Sequence, residues 1–211
     1  MAPGAAVPPA PETMSPNQLA RRRRVLEAVI GLVADGGIEE MQMRELAERS
    51  GVALGTVYRY FSSKDHVVAA ALVEWAGRLE QNVSSRPLPS GTMADRLKAL
   101  LRQGVRPFRR EPNFAALMMR AASSTDPFAS QCYQELGPIV TGTLGRALPE
   151  LDADERDRVL RVVGAVWFTG LNEWVHGRCT VAQVHERLDE ACDLLLAWRE
   201  PADVSGLSGG G

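Results

Sequence analysis

Tyr58, Arg59 and Tyr60, with Gly55 and Thr56 just before them, put two phenols, a guanidinium, a hydroxyl and a backbone without a Cβ on one short segment. Such groups hold phosphate oxygens and read base edges by hydrogen bonding. An ordinary solvated helix face would carry Glu, Lys, Gln and Ala instead. The alternative for each residue taken singly is a packing aromatic or a hydrated charge.

The elements that must position this set lie within residues 41–61, MQMRELAERSGVALGTVYRYF. Met43, Leu46 and Ala47 fall at i, i+3 and i+4, predicting an amphipathic helix with Arg44, Glu45, Glu48 and Arg49 outward. Gly51 then stands where a chain leaving a helix needs positive φ, and Val52 can fill the angle between two crossing helices. In the second helix Val57 and Phe61 face inward, leaving Gly55, Thr56, Tyr58, Arg59 and Tyr60 outward. Gly55 and Thr56 occupy the start of that helix, where free N–H groups and the dipole favour a phosphate. Upstream, Arg21, Arg22, Arg23 and Arg24 open a helix predicted over 21–34, with Leu26, Val29, Ile30 and Val33 as its stripe and Asp35, Gly36 and Gly37 ending it. Four guanidiniums beside a reader of this kind suit the phosphate backbone.

The run GVALGTVYRYFSSKDHV resembles the signature of the TetR-type transcriptional regulators, and the matching stretch covers about residues 22–72. The resemblance implies an all-α protein: an N-terminal three-helix helix-turn-helix domain and a C-terminal helical ligand-binding and dimerisation domain. It places Arg44 and Tyr58 where bases are often reached, and Thr56, Arg59, Tyr60 and Lys64 where phosphates are often held. Gln42 departs from the family, in which Ser or Thr commonly caps the first motif helix. The implied partners are a double-stranded operator, a hydrophobic small-molecule effector and a second copy of the chain. The later segments MMRAASSTD and AVWFTGLNEWV are similar to the actinobacterial repressors of sterol catabolism, which release DNA on binding a coenzyme A thioester of a sterol side-chain acid.

The organisation read from the chain is an arm over 1–19, the DNA-binding domain over 20–66, the ligand-binding and dimerisation domain over 67–200 and a glycine-rich tail over 201–211. The Pro- and Ala-rich arm is expected to be disordered, and the tail mobile. Ser62 with Asp65 suggests a cap for a long linking helix through Val68, Leu72, Trp75 and Leu79. Residues 86–91 break the chain, and Gly137-Pro138 is expected to kink or interrupt a later helix. Residues 159–175 are apolar nearly all round and 181–198 carry a stripe ending at Trp198, so both need covering. Val163, Val166, Gly170, Val184, Leu188, Ala191 and Leu195 are the expected dimer face, with Gly164 and Gly170 allowing close approach. Phe108, Phe114, Met118, Met119, Cys132, Trp167, Phe168, Leu171, Asn172 and Trp174 are the expected effector pocket, against the alternative that they are simply core.

Of 211 residues, 45% are hydrophobic, enough for a small reader and a larger core. Residues 1–64 hold eight Lys or Arg and seven Asp or Glu, net +1, within a chain of formal charge −2, so the reader is no general polyanion coat. No membrane span or signal peptide is read, and a cytoplasmic protein is expected. Cys132, Cys179 and Cys192 form no CxxC pair, so no metal or cofactor is expected and buried thiols are. Two other classes stay open: a thioester hydrolase pairing Ser or Cys with His66, His176 or His185, which no catalytic motif supports, and a dimeric scaffold for a protein partner.

Overall fold

The computed structural model describes residues 7–36 and 41–197. The expectations for the first six residues, Gly37, Trp198 and the tail fall outside them. Every regular element among the described residues is helical: a 3-10 turn at Pro11–Thr13, then α1 (Pro16–Gly36), α2 (Met43–Ser50), α3 (Leu54–Tyr60), α4 (Lys64–Ser84), α5 (Met93–Arg110), α6 (Pro112–Ser123), α7 (Pro127–Gly145), α8 (Ala153–Val175) and α9 (Val181–Leu196). The chain divides into two compact units, Met1–Arg86 with Gly104–Thr143, and Pro87–Gln103 with Leu144–Gly211.

In the first unit α1 is the central strut, packing on α2, α3, α4 and α6. It starts five residues before the predicted Arg21, and residues 16–19 of the expected arm are helical. Ser15 and Gln18 explain the early start: Gln18 N–H donates to Ser15 Oγ at 3.4 Å, and Ser15 N–H donates to Gln18 Oε1 at 2.7 Å. That reciprocal pair, with Pro16 following, is a capping box that an apolar-stripe reading overlooks. The stripe itself is as expected, with Leu26, Val29 and Val33 in the core.

α4 is capped by Ser63 and not by Ser62, its hydroxyl accepting from His66 N–H at 3.0 Å. Trp75 of α4 anchors an aromatic cluster, stacking on Phe114 at 4.7 Å and tilting against Phe108 at 5.1 Å. α7 runs unbroken through Gly137-Pro138, against the expected interruption. The carbonyl that Pro138 leaves unpaired is that of Gln134, one turn back and exposed, so it can be hydrated, and Thr141 Oγ1 donates to Gly137 O at 2.9 Å.

In the second unit α8 packs along α9. A Cβ on Gly170 would come within 3.0 Å of Val184 Cγ1, so glycine sets how closely the pair approach. Asp152 caps α8, and Thr180 with Gln183 forms a capping box for α9. The N-terminal part of α5 is pinned by ion pairs Lys98–Asp193 and Arg102–Asp189 to α9 and by Arg96–Glu150, 2.6 Å, to the loop before α8.

Candidate nucleic-acid interface

The reader is built by α2, a glycine turn and α3. Met43, Leu46 and Ala47 are buried, and Gly51 ends α2 in the left-handed region at φ 62°. Its N–H donates to Glu48 O at 3.2 Å, while Val52 N–H donates to Ala47 O at 3.1 Å. Val52 and Val57 fill the angle between the helices. Neither Gln42 nor Ala53 caps its helix through a side chain.

Outward on this scaffold stand Arg44, Gly55, Tyr58 and Arg59, with Thr56 and Lys64 half-buried. Tyr58 is 51% exposed, unusual for an aromatic with no fold to support. A Cβ at Gly55 would meet nothing within 4 Å, so the surface there is open. Arg21 and Arg24 are exposed, and an Arg24 nitrogen comes to 4.0 Å from the Cβ position of Gly51, at the reader's own turn.

Three of the predicted contacts are elsewhere. Tyr60 points inward at 1% exposure, because the seven-residue helix turns its last position back toward the core; its hydroxyl has no partner among the described residues. Arg22 is half-buried with its guanidinium 5.4 Å from the Phe61 ring centroid, and Arg23, though exposed, borders a cavity inside the first unit.

The start of α4 is tied to the α6–α7 corner. Asp65 accepts from Arg120 Nη2 at 2.8 Å and from Ser124 Oγ at 3.0 Å. Ser63 Oγ donates to Asp126 at 2.7 Å while the other Asp126 oxygen caps α7, accepting from Phe128 and Ala129 N–H, each at 2.9 Å. His66 lies between Phe61 and Phe128, both 5.3 Å away, and Ser62 N–H donates to its Nδ1 at 3.1 Å. No single residue of this corner announces itself in the sequence; Asp126-Pro127 as a helix start is the one local signal.

Burial, with a smaller contribution from Arg22, pushes His66 down to about 4, although Asp126 opposes the shift. The neutral ring is therefore the folded form, and the unfolded chain binds the extra proton. Stability should be full above the ordinary histidine range and fall as pH drops toward about 4. Between about pH 7 and pH 5 the loss from this ring should be about 2 kcal/mol. Urea unfolding at both values checks it: His66→Gln should remove that part of the acid loss, and an unchanged loss would contradict it. The same depression makes His66 a poor base for Ser62, and Asp126 bonds the serine hydroxyls.

The predicted effector residues divide between the units. In the first, Phe108 and Phe114 are core beneath Trp75, Cys132 is buried, and Met118 and Met119 are half-buried. In the second, Leu171 is fully buried, whereas Trp167, Phe168, Asn172 and Trp174 are half-buried. A cavity of about 550 Å³ does exist in the first unit, but Cys132 is the only one of the predicted effector residues lining it. Burial pushes Cys132 up to about 11 and Cys192 up to about 12, so both are thiols. Among the predicted dimer residues, Val163, Gly170, Val184 and Leu188 are buried in the α8–α9 seam of one subunit, which removes them from an outer face. Val166, Ala191 and Leu195 are half-buried. No described helix is long and apolar enough to cross a membrane, and no cluster of metal-ligating side chains occurs among the described residues.

Residues 25–71 match the family model for bacterial regulatory proteins of the tetR family, and residues 91–195 match that for the tetracyclin repressor-like C-terminal domain. The HTH-type transcriptional repressor KstR of Mycolicibacterium smegmatis is 33% identical over 194 residues, covering 92% of this chain and 95% of its own. The chain belongs to the TetR family. Another relative of this TetR-family regulator, KstR of Mycobacterium tuberculosis, is 30% identical over 90% of the chain and 87% of its own. Among solved structures, a TetR transcriptional regulator from Rhodococcus sp. RHA1 superposes with a TM-score of 0.75 at 29% identity, covering 86% of this chain and 98% of that one. FadR of Thermus thermophilus, solved in complex with lauroyl-CoA, shares the TetR-family fold at TM-score 0.67 and 20% identity, over 90% and 100% of the two chains.

Proposed function

We propose that this TetR-family regulator is a cytoplasmic repressor that binds a near-palindromic operator as a homodimer and releases it when a hydrophobic acyl or sterol-derived coenzyme A thioester binds. The observation that carries the DNA half is the outward set Arg44, Gly55, Tyr58 and Arg59 on a glycine-turned helix pair. Arg21, Arg24, Thr56 and Lys64 join it at the phosphates. Tyr60 supports the reader from inside. The effector class rests on the KstR relatives and on the lauroyl-CoA complex of a protein sharing the fold. The half-buried Trp167, Phe168, Asn172 and Trp174 are the candidates to meet it within the second unit.

The dimer reading rests on a stripe distinct from the buried seam. Val162, Ala165, Val166 and Thr169 follow the i, i+3, i+4, i+7 spacing along α8, with Val162 46% exposed, and Leu194 on α9 is 80% exposed. Exposed apolar side chains on the two helices of a packed pair suit a second copy. Gly164, with open space around it, would let that copy approach.

Selection of bound duplexes from a random library, followed by titration of the enriched site with acyl and sterol coenzyme A thioesters, tests the proposal. A near-palindrome released by a thioester supports it, and no enriched sequence at moderate salt overturns it. Tyr58→Ala and Arg59→Ala should each weaken specific binding by about 1 to 3 kcal/mol. Equal loss on specific and random duplexes for Tyr58→Ala would move that residue from reading bases to holding phosphates.

A further inference from the structure

None of the residues proposed above for the effector lines the cavity of the first unit, and of the predicted effector residues only Cys132 does. Three helices line it, and it is open to solvent on one side. Arg22, Arg23 and Glu27 come from α1. Ala70, Val73, Glu74, Gly77, Arg78 and Gln81 come from α4 at helical spacing. Cys132, Glu135 and Ile139 come from α7, one face over two turns, and Pro11 closes a rim. A volume of about 550 Å³ falls within the range of small-molecule sites.

The charges lining it are unevenly satisfied. Arg78 engages both Glu74 at 3.1 Å and Glu27 at 3.4 Å, so these two carboxylates are paired with it and not with Arg22. Arg22 makes no ion pair among the described residues; its one close contact of this kind is the Phe61 ring. Its guanidinium is half-buried, and that desolvation outweighs the attraction of Glu135 and Glu74 and lowers its pKa. Glu135 is pushed the other way, up, by burial first and by Glu12, against Arg22. A partly dehydrated guanidinium that faces open space and has no ion pair among the described residues can take one anion. Ala70, Val73 and Ile139 give that anion an apolar body to rest on.

We infer that the α1–α4–α7 cavity is a second ligand site, taking a small amphipathic anion whose carboxylate or phosphate head pairs with Arg22 and whose short apolar body lies on Val73 and Ile139. Occupancy reports directly to the reader, because Arg22 stacks on Phe61, the residue that ends α3, and α4 forms one wall. This site goes beyond the thioester response and stands or falls separately from it.

Isothermal titration of the full-length protein with octanoate, octyl phosphate and octanol tests the inference, with folding of each variant checked by circular dichroism. Octanoate or octyl phosphate should bind saturably, and the better of the two names the head group. Octanol should bind at least about tenfold more weakly. Arg22→Gln should weaken the anion by a similar factor, Val73→Trp should abolish binding by filling the space, and Arg158→Gln on α8 should change nothing. Absence of saturable binding to the wild-type protein, equal binding of octanol, or binding indifferent to both Arg22→Gln and Val73→Trp would overturn it. Operator affinity is read in the same samples without any thioester, so a failed thioester response leaves this result standing.

Discussion

A protein carrying Val162→Arg together with Leu194→Arg should sediment as a monomer and bind its operator at least about a hundredfold more weakly than the wild type. Both side chains are exposed in the single subunit, Leu194 at 80%, so arginine there costs the fold little. In a dimer the same positions would bring like charges into a desolvated contact, where repulsion is strong. The loss on DNA is larger than any single contact explains, because two half-sites held by one dimer gain effective concentration that two monomers forgo. Sedimentation velocity and a half-site titration read the two effects separately. A variant that stays dimeric would place the subunit contact away from the Val162 stripe.

Phe114→Ala should destabilise the protein by about 3 to 5 kcal/mol. The ring is fully buried and stacked nearly parallel on Trp75, with an interplanar angle of 13°. Truncation would remove its buried area and leave a void beside Phe108, which rests on the other contact of the same indole. Urea unfolding measures the cost. A loss under about 1 kcal/mol would mean the site collapses or fills readily, and would return Phe114 to the effector-pocket residues.

The parts of this molecule that were legible in the chain are those whose cause is local. Gly51 adopts the positive φ expected of it, and Val52 and Val57 take the inner positions that the spacing assigns. Tyr60 was not legible, since a phenol one residue before an inward Phe61 reads as outward on an ideal wheel, and only the end of a very short helix turns it in. Arg22 was hidden for a related reason: within four consecutive arginines the wheel cannot say which one a neighbouring ring will draw inward. For α8, apolar on nearly every side, periodicity shows that two faces need cover without saying which face α9 takes. Val163 and Gly170 went to the inner seam, and Val162 and Ala165 were left outside. The cavity required three helices distant in sequence, so no single segment could announce it.

The clasp at the start of α4 bears on how freely such regulators can exchange parts. Ser63, Asp65 and His66 are held by Arg120, Ser124, Asp126 and Phe128, more than fifty positions along the chain. A chimera cut after residue 71, where the reader's family match ends, would transplant one half of that clasp and leave half-buried polar groups without partners on both sides, with the buried His66 on one of them. Recombination between relatives would therefore be tolerated where residues 63–66 and 120–128 descend together, and the operator-reading head is inherited with a distant corner of the chain instead of as a free cassette.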